Sequence, residues 1–141
     1  METKENKIEE TEIKKLNLMS EYPKQIKVGG QTINVKDVQY SDNSETNLGN
    51  TYMGQGLLTI SKNYKSDGMS MEQCHDSKVN TFYHELIHII LEVMGHFDLN
   101  NDEVFVSCFG SFLCEAMRSA GAQFPDRNDT NTSNDTQIIN E

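Results

Sequence analysis

The chain has 141 residues, which suits one compact domain and is too short for a two-domain enzyme at roughly 100 to 200 residues per domain. Apolar residues make up only 35% of it, below the roughly 45–50% of an ordinary globular domain, so part of the chain lies outside any core. The net charge of −10 divides into −2 over residues 1–21, −5 over 22–121 and −3 over 122–141, which argues against nucleic-acid backbones and anionic membrane surfaces as partners, since both would be repelled.

Residues 1–21, rich in Glu, Lys and Asn, read as a flexible acidic arm, and the domain is expected over 22–121, from just before Pro23. The arm has no apolar core of the kind a secretory signal needs, and no run of about 18 apolar residues occurs anywhere, so the expected compartment is the cytoplasm. Cys74, Cys108 and Cys114 are odd in number and lack paired zinc-ribbon spacing, so they read as free thiols serving as small buried hydrophobes.

Ile26 and Val28, the pair Gly29-Gly30, then Ile33, Val35 and Val38 alternate with period two about a two-glycine turn, which predicts a β-hairpin. Residues 41–50 read as turns. The apolar run Leu57, Leu58, Thr59, Ile60 reads as a further strand, followed by a polar loop over 62–68. Ser70 and Gln73 have the spacing of a capping box, so a helix is expected to begin between Ser70 and Ser77.

That helix, through TFYHELIHIILEVM, is apolar almost all the way round and ends at Gly95, so it belongs in the core. A second helix is expected after Asn100 or Asn101 as N-cap, with Asp102 and Glu103 in its first turn and Gly121 ending it. Phe105, Phe109, Phe112 and Ala116 share one of its faces. Residues 122–141 read as a disordered polar tail. The fold expected is α+β, a small antiparallel sheet of hairpin plus edge strand packed on the buried first helix and on the second.

The buried helix carries His84, Glu85 and His88, an H-E-x-x-H motif. Histidines four apart stand one above the other, so both can present a nitrogen to one Zn²⁺ while Glu85 reaches a water on that ion. An unpaired carboxylate in an apolar helix costs several kcal/mol, and such a water would satisfy it. The competing arrangement is two core histidines bonded to backbone and Glu85 paired with a lysine.

A catalytic zinc needs a third protein ligand. Six residues after His88 stands Met94, so the metzincin pattern is excluded. Glu103 is favoured, in the first turn of a helix that can pack back beside the first; His96, Asp98 and Asp102 are the alternatives, and capping is the plain role for Glu103.

Strand, loop, H-E-L-x-H helix and a second helix with an early acid resemble the gluzincin-type zincin metallopeptidases, in particular the small ImmA/IrrE-like peptidases of phages and mobile elements. In that family the second helix reads E-x-E-A-N-x-F-A; here Glu103 and Phe109 match, while Phe105, Val106, Ser107 and Gly110 occupy the other positions. The resemblance spans roughly residues 24–120 by order of elements, and its specific part is the helix motif.

It implies a zincin-like fold and a zinc-dependent peptidase in which Glu85 is general base and His84, His88 and Glu103 hold the metal. It also implies a substrate strand pairing with Leu57, Leu58, Thr59 and Ile60, and a protein partner such as a repressor. An oxyanion donor is expected too; Tyr83 points about 100° from His84, which leaves His96 as the better candidate. Two other readings compete: a zincin-like interaction module without catalysis, and an acidic inhibitor that mimics nucleic acid. Nothing in the sequence specifies an oligomeric state.

Overall fold

The computed structural model describes residues 3–9 and 19–125, so most of the expected arm and nearly all of the expected tail lie outside the described residues. The chain divides into two compact units, one of residues 25–122 and one that joins 1–24 to 123–141. In the latter, residues 4–9 are helical, and β1 (Met19–Ser20) pairs antiparallel with the final strand (Phe124–Pro125).

The 25–122 unit is α+β. Its main sheet has four strands, β2 (Gln25–Val28), β3 (Gln31–Val38), β4 (Gly49–Tyr52) and β5 (Leu57–Ser61), in the order β2-β3-β5-β4. The hairpin forms where alternation and Gly29-Gly30 place it, with Val28 opposite Gln31 and both glycines at positive φ. Gly29 also lies against Val93, whose Cγ1 would stand 2.2 Å from any Cβ added there.

The sheet is mixed rather than antiparallel. The strand expected at its edge is interior: β5 runs parallel to β3, Asn34 opposite Leu57, and antiparallel to β4, Gly49 opposite Ile60. Burial explains the placement. Leu58, Thr59, Ile60 and Ser61 are all buried, and a strand covered on both faces is stabilised by a central position. The edge falls to β4, whose first residues, Gly49 and Asn50, had read as the end of a turn.

The polar stretch expected as a loop is a second hairpin, β6 (Asn63–Ser66) with β7 (Met69–Glu72), turned by Asp67-Gly68 at positive φ. Ser70 is therefore strand, and no capping box forms. Gln73 instead is buried and fully bonded: its amide donates to the carbonyls of Ser61 (2.6 Å) and Leu48 (3.1 Å), and its oxygen accepts from Ser77 (2.7 Å) and Thr81 (2.9 Å). One side chain thus ties the end of β5 and the approach to β4 to the first turns of the helix that follows.

Three helices complete the unit: α1 (His75–Met94), α2 (Phe97–Asn100) and α3 (Glu103–Ser119). Helix α1 follows Cys74 without a side-chain cap, has Asp76 in its first turn, and ends in a Schellman-type reversal in which Gly95 is left-handed and the His96 amide donates to Leu91. It packs on β4 and β5 on one side and on α3 on the other. Ile33, Leu58, Ile60, Val79, Phe82 and Ile89 fill the core.

Helix α3 is capped by Asp102, whose side chain accepts from the Phe105 amide at 3.1 Å, and not by Asn100 or Asn101. Its buried face is Val106, Gly110 and Cys114, with Leu113 beside it, against Ile87 and Leu91. Of the phenylalanine stripe, Phe109 and Phe112 point outward, 50% and 71% exposed, while Phe105 is partly buried against Ile87, Leu91 and Val106. Close helix approach favours the small face: a Cβ on Gly110 would lie 3.0 Å from the Cα of His84. Of the three free thiols only Cys114 is buried; Cys74 and Cys108 are exposed. No helix among the described residues is long and apolar enough to cross a membrane.

Candidate metal centre

Helical spacing puts His84, His88 and Glu92 on one face of α1, and these line a cavity of about 550 Å³ together with Glu85, with Asn100 from α2 and with Glu103 from α3. The opposite wall is the edge strand β4 and its flanks, from Asn47 to Met53. Two glycines set the width of the space. Gly110 allows α3 to lie against the backbone of α1 at His84, which brings the first turn of α3 over the histidines. Gly49 allows β4 to lie on α1: a Cβ there would stand 2.5 Å from Thr81 Cγ2, 2.9 Å from the Thr59 carbonyl and 3.1 Å from Glu85 Cγ.

His84, His88 and Glu103 converge, each offering one ligand atom within 4.8 Å of the others. His84 Nε2 is 3.4 Å and His88 Nε2 3.1 Å from the Glu103 carboxylate oxygens. Two donors that share one tetrahedral zinc at about 2.1 Å stand roughly 3.4 Å apart, so the spacing suits that ion.

The tautomer of His88 strengthens the fit. Its Nδ1 lies 2.6 Å from Asn100 Oδ1, and because that amide oxygen only accepts, Nδ1 carries the proton. Asn100 is held in this orientation by its own NH₂ group, which donates to Glu92 Oε2 at 3.1 Å. In neutral His88 the Nε2 lone pair therefore faces a carboxylate oxygen at 3.1 Å, a repulsive contact unless a cation or a proton lies between them. The side chain behind the histidine fixes which nitrogen faces the metal position, as outer partners of metal-ligating histidines commonly do.

The electrostatics of His84 and Glu85 run in opposite directions. Burial, with His88 adding to it, holds the His84 pKa below its ordinary value against the opposing pull of Glu103, which favours the neutral ring. Glu85 is 8% exposed, and burial first, with repulsion from Glu103, raises its pKa to about 7 against the opposing effect of His88. A carboxyl poised there accepts and returns a proton at neutral pH.

Other expected site residues are placed elsewhere. His96 starts α2 with an exposed side chain and does not line the cavity. Asp98 lies in the first turn of α2 and Asp102 caps α3; neither joins the His84–His88–Glu103 group. Leu57, Leu58, Thr59 and Ile60 cannot pair with a further strand, since β5 is bonded on both edges. Among the described residues, the sheet edge beside the site that pairs with no further strand is β4, where the Thr51 amide donates to Asn50 Oδ1.

Asn100, Glu92 and β4 escaped the sequence reading. Glu92 was accessible to it, four residues after His88 in the series that joins His84 to His88, whereas nothing local distinguishes a histidine-orienting Asn100 from an N-cap. No protein-family model, curated protein or solved structure matches this chain significantly.

Proposed function

We propose that the 25–122 unit is a zincin-like, zinc-dependent metallopeptidase acting in the cytoplasm on a specific protein partner, a repressor being the kind its resemblance to the small phage and mobile-element peptidases suggests. The observation that carries the reading is the convergence of His84, His88 and Glu103 beside a buried carboxyl one residue from the first histidine. His84, His88 and Glu103 would hold the zinc, which when bound supplies a Lewis acid for a carbonyl and brings water to a pKa near about 7.

The chain's own groups account for the rest. Asn100 keeps His88 in the tautomer that points Nε2 into the site. The unpaired edge of β4 offers main-chain donors and acceptors to an extended peptide, which fixes its course through the cavity with little dependence on its side chains. Glu85 takes the proton from the water that attacks the scissile carbonyl and hands it to the departing amine. Its pKa of about 7 suits both transfers, because neither protonation state is strongly preferred at neutral pH.

The test compares zinc-loaded wild type with Glu85→Gln on peptide pools, following new N-termini by mass spectrometry. Glu85→Gln is expected to retain zinc and lose about 10²- to 10⁴-fold in cleavage rate. If zinc-loaded wild type cleaves nothing, or the variant cleaves as well as wild type, the domain is a zincin-like module without this chemistry.

A further inference from the structure

We propose that Glu92 makes this cavity selective for peptides with a lysine or arginine beside the bond to be cut; the inference rests on the peptidase reading above and names its substrate class. Three carboxylates line the cavity, and two already have work: Glu85 as base and Glu103 as metal donor. Glu92 stands one helical turn beyond His88 on the same wall and is neither base nor metal donor, although it holds Asn100.

Among the described residues, no lysine or arginine forms an ion pair with it. Residues 79–117, which include most of α1 and α3, contain no lysine or arginine, and neither do residues 37–61, which supply the β4 wall. An exposed helical glutamate is commonly paired with a cation four residues away, but the residues four before and four after Glu92 are His88 and His96, the first committed to the metal position and the second outside the cavity.

The carboxylate is also held in position. Asn100 donates to Glu92 Oε2 at 3.1 Å, so a cationic side chain entering the cavity meets an acceptor already oriented and forms a charge-assisted hydrogen bond at reduced entropic cost. An acidic side chain at the same place would face the Glu92 carboxylate, with which it can form no ion pair, so the position rejects as well as selects.

The two duties of Glu92, holding Asn100 and attracting a cation, come apart in Glu92→Gln, whose amide oxygen can still accept from Asn100 while the charge is lost. The measurement uses the zinc-loaded full chain carrying Glu85→Gln, so that peptide is bound and not consumed. Three fluorescein-labelled octapeptide pools, identical except for lysine, norleucine or glutamate at the fourth position, are titrated by anisotropy. Cleavage of the same pools by wild type is mapped by mass spectrometry.

The lysine pool is expected to bind about 3- to 10-fold more tightly than norleucine, with glutamate weakest. Adding Glu92→Gln should collapse the lysine preference while zinc affinity, measured separately, stays within about twofold, and Glu92→Lys should make glutamate the preferred pool. Equal affinity for lysine and norleucine, or a lysine preference that survives Glu92→Gln, overturns the inference whether or not wild type cleaves. Zinc binding without cleavage of any pool overturns the peptidase reading instead.

Discussion

Helices α1 and α3 break the amphipathic pattern in opposite directions. Helix α1 buries a carboxylate, Glu85 at 8% exposure, in a helix otherwise buried through Val79, Phe82, Ile87 and Ile89; α3 turns Phe112 outward at 71% exposure and buries Val106, Gly110 and Cys114. The first departure costs desolvation of a charged group, and the second forgoes burial of about 1.5–3 kcal/mol for a phenylalanine. Both serve the same geometry. A phenylalanine face cannot bring α3 close enough to α1 for Glu103 to reach the histidines, whereas Gly110 can, and it is burial first of all that raises the Glu85 pKa to about 7, where the proposed base needs it.

The contrast is sharpened first by Asn100→Ala. Removing the acceptor behind His88 frees its tautomer and ring orientation, and zinc affinity is expected to fall about 10- to 100-fold, with Asn100→Asp recovering most of it. Competition against a chelating dye measures both. An unchanged affinity in Asn100→Ala would separate α2 from the site.

Next is the pH dependence of the metal-free protein. The Glu85 pKa is raised in the fold to about 7, so its favourable contribution is complete below its unfolded value near 4.5 and is lost as pH rises through 7. His84 acts oppositely: its pKa is lowered, so the native state loses stability as pH falls below about 6.5. Above pH 6.5 only the glutamate effect remains. In EDTA, wild type should therefore lose stability between pH 6.5 and 8.5 while Glu85→Gln does not, and at pH 8 the variant should be the more stable by about 1–3 kcal/mol. Urea denaturation at the two pH values decides it; a wild type that is flat or rises over this range contradicts the buried-carboxyl account.

The smallest effect is expected on α3. Phe112→Ser should change stability by less than about 0.5 kcal/mol, because the ring is already in water, while Val106→Ala should cost about 1–3 kcal/mol. Thermal denaturation that ranks the two the other way would show that the phenylalanine face is covered.

The motif helix was readable in the sequence because one local pattern carries both its fold and its chemistry: apolar residues on all sides, interrupted by His84, Glu85 and His88. Glu103 was readable for a related reason, since an acid in the first turn of an adjacent antiparallel helix has few places to reach. The rotation of α3 was not, because two faces compete and the smaller-residue face is favoured by packing against a helix whose approach no local pattern reports. Strand order failed on the same ground: Gly49-Asn50 closes a stretch with the composition of a turn, yet a strand starts there because β5 pairs with it, and the burial of Leu58 to Ser61 marks β5 as central. Asn100 depended wholly on tertiary placement.

The central claim is that His84, His88 and Glu103 hold one zinc while Glu85 stands beside it without binding. Calorimetric titration of zinc into EDTA-stripped, dialysed protein tests this most directly, with His88→Ala, Glu103→Ala and Glu85→Gln run alongside. One zinc per chain in wild type and in Glu85→Gln, with affinity falling by about 10²-fold or more in the two ligand variants, is the result expected. No stoichiometric zinc in wild type, or equal affinity in wild type and His88→Ala, contradicts it.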